Sequence, residues 1–372
     1  MKRAWVLAMG VFALAAPFTA TLATADEEKV LNLYNWSDYR ADDTLTNFEK
    51  ATGIKVVEAN YDSNEMLEGK LVAGHSGYDV VVPSGFFLQH QIPPMMGTAL
   101  YQKLDKSKLP NLKNMDPAIM KATEAFDPGN QYAVDYMWGT TALGYNVDKV
   151  KAALGADAPT NSWDLLFKPE NAAKLKDCGI TVLDASSEVV AIALNYLGLN
   201  PNSEKQEDLD KAEKLLDGIK PYIRKFDSSG YIDDLANGDA CLSLGYSGDV
   251  YIAKQRATDA KKGVNIAYVI PKEGTIEWFD MLAIPADAPH PENALAFINY
   301  IMEPKVTADI SNNVFYANGN KAAFDLTSKD ITGDPNIYPP ADVAAKLTPL
   351  QAHSQDFTRL LTRAWTRIKT GE

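Results

Sequence analysis

The sequence predicts an α/β protein built on parallel, doubly wound sheets, and three observations support this prediction. Short apolar runs alternate with helix-like segments over residues 30–83 in the order β-α-β-α-β, which is the pattern of a parallel sheet. A second region with a similar alternation begins after Trp138. The chain has 372 residues, of which 46% are hydrophobic, enough for two packed domains.

The first region is predicted to hold three strands joined by two helices. Asp42 or Asp43 can cap the first helix, which ends at Gly53, and Ser63 can cap the second. The last strand is an almost unbroken apolar run, as expected for a strand with both faces buried. The three strands are predicted at residues 30–35, 54–58 and 78–83.

The second region continues the alternation with longer helices. Prolines between residues 285 and 291 interrupt the chain before its third helix, and a basic helix lies near the end of the sequence. Strands are predicted at residues 181–183, 241–245, 266–270 and 279–284. Helices are predicted at residues 188–197, 204–219, 292–302 and 355–368.

Three loops follow the strands of the first region. In parallel sheets, ligands bind outside the carboxyl ends of the strands. The loop after the first strand is unusual because it places two aromatic residues beside a carboxylate and a hydroxyl. The sequence therefore predicts a binding site built from the loops at residues 35–39, 61–64 and 83–86.

The amino-terminal segment has the pattern of a secretory signal peptide. Lys2 and Arg3 precede an apolar run at residues 5–16, which is too short to span a bilayer, and Ala23-Thr24-Ala25 is a small-x-small cleavage signal. We expect residues 1–25 to be removed and the mature chain to begin near Asp26, with an uncleaved anchor as the alternative. No cysteine stands at the cleavage site, so we do not expect a lipid anchor.

Charge and motif content exclude several functions. The formal net charge is −13, which disfavours nucleic acid as a partner and favours a cationic ligand. The four histidines are scattered without metal-ligand spacing. The sequence has neither a phosphate loop nor a complete nucleophile elbow. We therefore expect no cofactor, no metal and no enzymatic activity.

An aromatic residue followed within three positions by an aspartate recurs near predicted strand ends. A carboxylate can pair with an ammonium group, and the ring face adds a cation–π contribution of about 0.5–2 kcal/mol. Because burying an unpaired ammonium costs several kcal/mol, such carboxylates would be essential. The pairs are Trp36 with Asp38, Tyr246 with Asp249, and Trp278 with Asp280.

Two cysteines, Cys178 and Cys241, are present. In an oxidising compartment an isolated pair favours one disulfide, which would close a loop of roughly sixty residues and stabilise the fold by a few kcal/mol. Two free, buried thiols are the alternative.

Longer segments spread over the chain carry a family resemblance. They are YNWSDY at 34–39, FEK at 48–50 with GIKVV at 53–57, DVVVPS at 79–84, DLANGD at 234–239, IPKEG at 270–274, FYAN at 315–318 and IYPPADV at 337–343. Through these segments the chain resembles the periplasmic polyamine-binding proteins, the soluble receptors of ABC importers for putrescine and spermidine. It is most similar to the putrescine branch.

The resemblance implies a type II periplasmic binding protein fold. Such a fold has two lobes, each a central, mainly parallel sheet flanked by helices, with a hinge that closes on the ligand. The amino-terminal lobe would comprise residues 26–137 and 278–325, and the carboxy-terminal lobe residues 138–277 and 326–372. The pair Cys178–Cys241 matches a disulfide of the family within the second lobe.

The resemblance also implies roles for individual residues. Four aromatic residues would box the alkyl chain of the ligand: Trp36, Tyr39, Tyr246 and Trp278. Asp249 and Asp280 would bind one ammonium end, and Asp38 and Glu188 the other, partly through water. Polar wall groups would be Ser37, Ser84, Ser228 and Tyr316.

Several positions depart from the family pattern. Tyr246 stands where a tryptophan is common, Trp278 where the putrescine branch often has phenylalanine, and Phe86 where some putrescine receptors have serine. Ser186-Ser187 replaces a Pro-Glu pair and leaves Glu188 as the carboxylate there. From Trp278 and Phe86 we expect a slight preference for spermidine over putrescine.

These observations predict a monomeric periplasmic receptor that captures a polyamine between its lobes and delivers it to membrane permease subunits. The alternatives are a receptor for another cationic solute and a secreted hydrolase that uses two carboxylates. Arg40 is the residue that most weakens this argument. It would neutralise Asp38 unless its side chain points to solvent.

Overall fold

A mixed β-sheet flanked by helices forms the centre of the molecule. The computed structural model describes residues 1, 27–93 and 99–371, so the predicted signal peptide lies almost wholly outside the described residues. In the described part of the chain, no helix has the length and apolar character needed to cross a membrane.

The described residues form ten strands and sixteen α-helices. The strands are β1 (Val30–Trp36), β2 (Lys55–Tyr61), β3 (Val80–Val81), β4 (Ala133–Asn146), β5 (Ile180–Val182), β6 (Lys225–Phe226), β7 (Leu242–Tyr246), β8 (Ile266–Val269), β9 (Thr275–Ala283) and β10 (Leu347–Pro349). The helices are α1 (Thr44–Thr52), α2 (Asn64–Val72), α3 (Gly85–Gln91), α4 (Pro117–Thr123), α5 (Val147–Leu154), α6 (Asp164–Phe167), α7 (Pro169–Leu175), α8 (Ser186–Tyr196), α9 (Gln206–Ile219), α10 (Tyr231–Asn237), α11 (Ser247–Asp259), α12 (Pro291–Ile301), α13 (Pro304–Val314), α14 (Lys329–Thr332), α15 (Ala341–Ala344) and α16 (Gln355–Thr370).

Two groups of parallel strands lie at opposite ends of the sheet, whose order is β2-β1-β3-β9-β4-β7-β5-β6. The first group is β1, β2 and β3, and the second group is β5, β6 and β7. The long strands β4 and β9 pair antiparallel between them. This order confirms the predicted parallel arrangement in both regions.

Local signals explain where the first elements begin and end. Helix α1 ends at Gly53, whose φ of 71° places it in the left-handed region. The Ser63 side chain caps α2 by accepting from the Met66 amide at 3.2 Å. Asp43 precedes α1 without a side-chain cap bond; its carboxylate accepts from Asn47 instead.

Strand β4 was missed by the sequence analysis. Both of its faces are buried, so it lacks the alternation of a half-buried strand, and buried polar residues such as Asp135, Thr140 and Thr141 interrupt the apolar run expected instead. Its earlier residues pair with β9 and its later ones with β7 and β8. This one strand therefore connects the two ends of the sheet.

The predicted disulfide between Cys178 and Cys241 is present, with the two Cα atoms 5.5 Å apart. It joins the turn after α7 to the start of β7. Buried side chains from both strand groups form one continuous core around the sheet.

Candidate ligand-binding site

A cavity opens between the two strand groups. Most of its wall comes from the carboxyl ends of parallel strands, as the loop argument predicted. It is lined by Trp36, Ser37, Tyr39, Tyr61, Asp62, Ser84, Glu188, Ser228, Ser229, Ile232, Tyr246, Asp249, Trp278, Asp280 and Tyr316. Of the predicted binding residues, all but Asp38 and Phe86 line it.

Asp280 lies in the middle of β9, and its carboxylate is 5% exposed. Its Oδ2 accepts a hydrogen bond from the Tyr39 hydroxyl at 2.9 Å, and its Oδ1 accepts one from the Ser84 hydroxyl at 2.6 Å. The Asn64 amide donates to Ser84 Oγ at 3.0 Å, so the Ser84 proton is directed toward Asp280. Burial raises the pKa of Asp280 to about 7, although the two hydroxyls oppose this shift.

Asp249 lies in the first turn of α11, facing the cavity from the side of the second strand group. Its Oδ1 accepts from the Tyr316 hydroxyl at 2.5 Å and its Oδ2 from the Tyr231 hydroxyl at 2.8 Å. Backbone amides donate in turn to both tyrosine hydroxyls. Burial raises the pKa of Asp249 to about 6.

Glu188 lies in the first turn of α8, directly after β5, and is 5% exposed. The Thr141 hydroxyl donates to its Oε2 at 2.8 Å and the Tyr246 hydroxyl to its Oε1 at 3.0 Å. Burial raises the pKa of Glu188 and these two hydrogen bonds oppose that shift, so that its pKa is raised to about 7.

Aromatic rings form the remaining wall and contact one another edge to face. The ring centroid of Trp278 lies 5.8 Å from that of Tyr246 and 5.3 Å from that of Tyr316. On the side of the first strand group, Trp36 Nε1 and the Tyr61 hydroxyl both donate to the Val82 carbonyl, at 2.9 and 2.5 Å. These contacts and hydrogen bonds fix the orientation of the rings around the cavity.

The chemistry of the lining selects a cationic ligand. Among the residues that the structure describes, those lining the cavity include no lysine, arginine or histidine. Asp280, Asp249 and Glu188 therefore face the cavity without a positive partner, and their raised pKa values reflect that cost. An ammonium ion would supply the missing charge. The described residues contain no group of three or more potential metal ligands.

Asp38 has a different environment from the one predicted. Its carboxylate, 46% exposed, pairs with Arg256 at 3.0 Å, and Arg256 also pairs with Asp233 at 2.9 Å. Asp38 does not line the cavity because this ion pair holds it at the rim. Arg40 pairs with Glu58 at 2.7 Å, so it neither points freely to solvent nor neutralises Asp38.

Phe86 also lies outside the main cavity. It occupies the first turn of α3 and lines a smaller pocket that shares Trp36, Glu188 and Tyr246 with the main cavity. Its ring packs against Phe87, with the centroids 4.9 Å apart.

Four lining residues were not given individual roles from the sequence: Tyr61, Asp62, Ser229 and Ile232. Tyr61 and Asp62 stand in the predicted loop after the second strand. Their pattern, an aromatic residue beside a carboxylate at a strand end, could have identified them as binding residues. Ser229 and Ile232 follow β6, which is only two residues long and gave no readable pattern.

Comparisons with known proteins agree with this geometry. A family model described as bacterial extracellular solute-binding protein matches residues 43–339. The putrescine-binding periplasmic protein PotF of Escherichia coli is 52% identical, and the match covers 100% of this chain and 99% of that protein. The putrescine-binding periplasmic protein SpuD of Pseudomonas aeruginosa is 53% identical, with 95% of each chain covered.

More distant matches extend the likeness. The spermidine/putrescine-binding periplasmic protein of Escherichia coli is 35% identical, covering 91% of this chain and 90% of that one. The solved spermidine/putrescine ABC transporter substrate-binding protein PotD of Streptococcus pneumoniae is 26% identical, with a TM-score of 0.73 and coverage of 92% of this chain and 99% of that chain. Together with the strand order, these matches confirm the predicted two-lobe α/β fold.

Proposed function

The chain belongs to the bacterial extracellular solute-binding proteins, and on that premise we propose that it is a periplasmic receptor that binds putrescine and delivers it to an ABC importer. It is a binding protein rather than an enzyme. The observation that carries the proposal is a set of three carboxyl groups that face an aromatic cavity without an ion-pair partner among the described residues, those of Asp280 and Glu188 buried and that of Asp249 half-buried.

A linear diamine meets the requirements of this cavity. Each ammonium group can pair with a buried carboxylate, which offsets the cost of removing the ammonium from water. The methylenes between the ammonium groups can pack on Trp278, Tyr246 and Trp36, with cation–π contributions of about 0.5–2 kcal/mol per ammonium. We expect a Kd in the micromolar range or tighter, about −8 kcal/mol or better.

The comparisons favour putrescine over the slight preference for spermidine that we expected from the sequence. The two relatives above 50% identity are named putrescine-binding, whereas the relative named for spermidine as well is 35% identical. The structure removes one basis of the earlier expectation, because Phe86 lies outside the main cavity. Putrescine is therefore the proposed ligand, and another cationic solute is the alternative.

We keep the predicted lobe boundaries as part of the proposal. Residues 26–137 with 278–325 would form one lobe, and residues 138–277 with 326–372 the other. Trp138 and Gly139 lie opposite Phe279 and Trp278 in the β4–β9 register, which supports the boundaries at 137/138 and 277/278 because these two of the three chain crossings then lie side by side.

Closure of the lobes would couple binding to transport. Contacts that would cross between the lobes include Tyr316 with Asp249 and Asp38 with Arg256. A ligand that touches both lobes stabilises the closed form by its differential affinity for that form. Permease subunits of the inner membrane would then recognise the closed receptor, which we propose acts as a monomer.

Calorimetry of ligand-free mature protein against putrescine, cadaverine, spermidine and spermine tests the proposal. We expect the tightest binding for putrescine with one site per chain. Absence of heat with all four amines would overturn it, and a preference for a different cation under the same conditions would favour the alternative. Light scattering of the same samples tests the monomer.

A further inference from the structure

A hydrogen-bonded relay connects the wall of the cavity to Glu188 through Thr141, which does not line the cavity. Trp278 Nε1 donates to Thr141 Oγ1 at 3.1 Å, and Thr141 Oγ1 donates to Glu188 Oε2 at 2.8 Å. An indole nitrogen can only donate. The Thr141 hydroxyl therefore accepts from Trp278 and has its single proton available for the carboxylate.

The backbone beside this relay is built to admit the indole. Gly139 lies opposite Trp278 in the β4–β9 register. A Cβ atom at Gly139 would stand 2.8 Å from Cζ2 of Trp278 and 2.8 Å from Oγ of Ser247. Only glycine leaves room for the ring to lie across β4 and reach Thr141, two residues farther along the strand.

Thr141 lies between the two strands that supply the aromatic wall. It is fully buried and stands opposite Tyr246 in the β4–β7 register. Tyr246 donates to the other oxygen of Glu188. One threonine thus relates the positions of Trp278, Tyr246 and Glu188, and neither the indole nor the carboxylate can swing away without losing a buried hydrogen bond.

We propose that Thr141 is a positioning and specificity-determining residue, which fixes the spacing between the Trp278 wall and the Glu188 carboxylate and so restricts the site to a diamine of one length. This inference rests on the proposed function. It assigns no direct ligand contact to Thr141.

The groups that face Glu188 determine how ligand binding by variants of Thr141 should depend on pH. Asp280 on β9 and Glu65 on α2 oppose its ionisation by charge, and burial opposes it further. The hydroxyls of Thr141 and Tyr246 favour ionisation of Glu188, because both donate hydrogen bonds to its carboxylate. Removing the Thr141 hydroxyl should therefore raise the pKa of Glu188 above its present value of about 7.

The test measures the Kd of putrescine and of cadaverine between pH 6 and pH 9 for wild type, Thr141→Val and Thr141→Ser. Because Thr141→Val should raise the pKa of Glu188, we expect putrescine binding to weaken about fivefold near pH 7 and to stay within about 1.1-fold of wild type at pH 9, where Glu188 is ionised in both proteins. Thr141→Ser keeps the hydroxyl and should stay within about twofold of wild type throughout. The preference for putrescine over cadaverine should fall in Thr141→Val.

Three results separate the possible failures. A Thr141→Val loss that is equal at every pH and leaves the putrescine preference unchanged would reduce Thr141 to a packing residue, and unchanged binding with unchanged preference would likewise overturn the inference. If wild type bound no diamine, the proposed function itself would fail. Should Thr141→Val not fold, Thr141→Ala removes the same hydroxyl and must lower the putrescine preference for the inference to stand.

Discussion

The cavity and its rim contain the same sequence pattern in opposite electrostatic states. Trp278 with Asp280 and Trp36 with Asp38 each place an aspartate two residues after a tryptophan. Asp280 is 5% exposed and has hydroxyl donors but no cation. Asp38 is 46% exposed at its side chain and is already paired with Arg256. The pattern selects candidates, and burial with neighbouring charge decides which of them can accept an ammonium.

The backbone marks the same difference. Asp38 adopts a φ of 53°, in the left-handed region, which aspartate and asparagine tolerate better than most residues. Asp280 lies in β9, between β3 and β4, where it pairs with Met137 beside a β-bulge of β4. The rim carboxylate is therefore placed by a turn, whereas the cavity carboxylate is placed by the rigid centre of the sheet.

The largest expected effect is on Asp280. Asp280→Asn keeps the shape of the side chain and removes its charge, so a bound ammonium loses a buried partner at a cost of about 3–5 kcal/mol. We expect putrescine binding to weaken about 100-fold or more, measured by calorimetry at pH 8. Unchanged affinity would remove Asp280 from the binding site and erase its distinction from Asp38.

Acidic pH should weaken binding by the next largest amount. The pKa values of Asp280 and Glu188 are raised to about 7 and that of Asp249 to about 6. As the pH falls from 8 to 5.5 these groups take up protons and lose their attraction for ammonium. We expect the Kd of putrescine to rise more than about tenfold over that range.

Stability of the ligand-free protein should change in the opposite direction. Because the folded pKa of each of these acids exceeds its unfolded value, ionisation opposes folding, and this penalty grows as the pH rises from about 4 through 7. The contribution of the three groups therefore raises Tm on going from pH 8 to pH 5.5 without ligand, while the Tm gain from added putrescine shrinks. Asp280→Asn, the neutral control, should show a weaker dependence, and an identical dependence would contradict this assignment.

The smallest expected effect belongs to the rim. Asp38→Asn removes the ion pair with Arg256, and such partly exposed pairs contribute about 0–1 kcal/mol. Asparagine also suits the left-handed backbone at this position. We expect at most about a fivefold loss of putrescine affinity, sensitive to salt. Arg256→Gln and the double variant complete a double-mutant cycle. The loss of putrescine affinity should be similar in all three variants, because each of them removes the same ion pair. A loss as large as that of Asp280→Asn would place Asp38 on the ligand.

Much of the site was accessible from local sequence signals. The predicted strand ends placed Trp36 and the loops after β2 and β3 at one edge of the first sheet, because successive parallel strands end on the same side. The family resemblance assigned further lining residues, including Glu188 and Tyr316. Strand β4 escaped prediction because buried polar residues interrupt the continuous apolar run that marks a strand buried on both faces.

The ion pair of Asp38 could not be predicted from the sequence because its partner is far away along the chain. Arg256 stands 218 positions along the chain, on α11, and only packing brings it to the rim. The nearby Arg40 was the visible candidate, yet it pairs with Glu58 across 18 positions. Thr141 was hidden for the same reason, since its importance depends on Trp278 and Glu188 arriving from two other elements.

The sequence by itself determined the alternation of strands and helices, the acidic and aromatic character of the strand-end loops, the disulfide pair and the family. These properties depend on local periodicity, composition and residue identity. The tertiary structure decided which carboxylates remain without a cation, which ring stands beside which acid, and which hydroxyls orient them. Those properties depend on burial and on contacts between distant segments, and the energy of a charge is set by the groups that surround it.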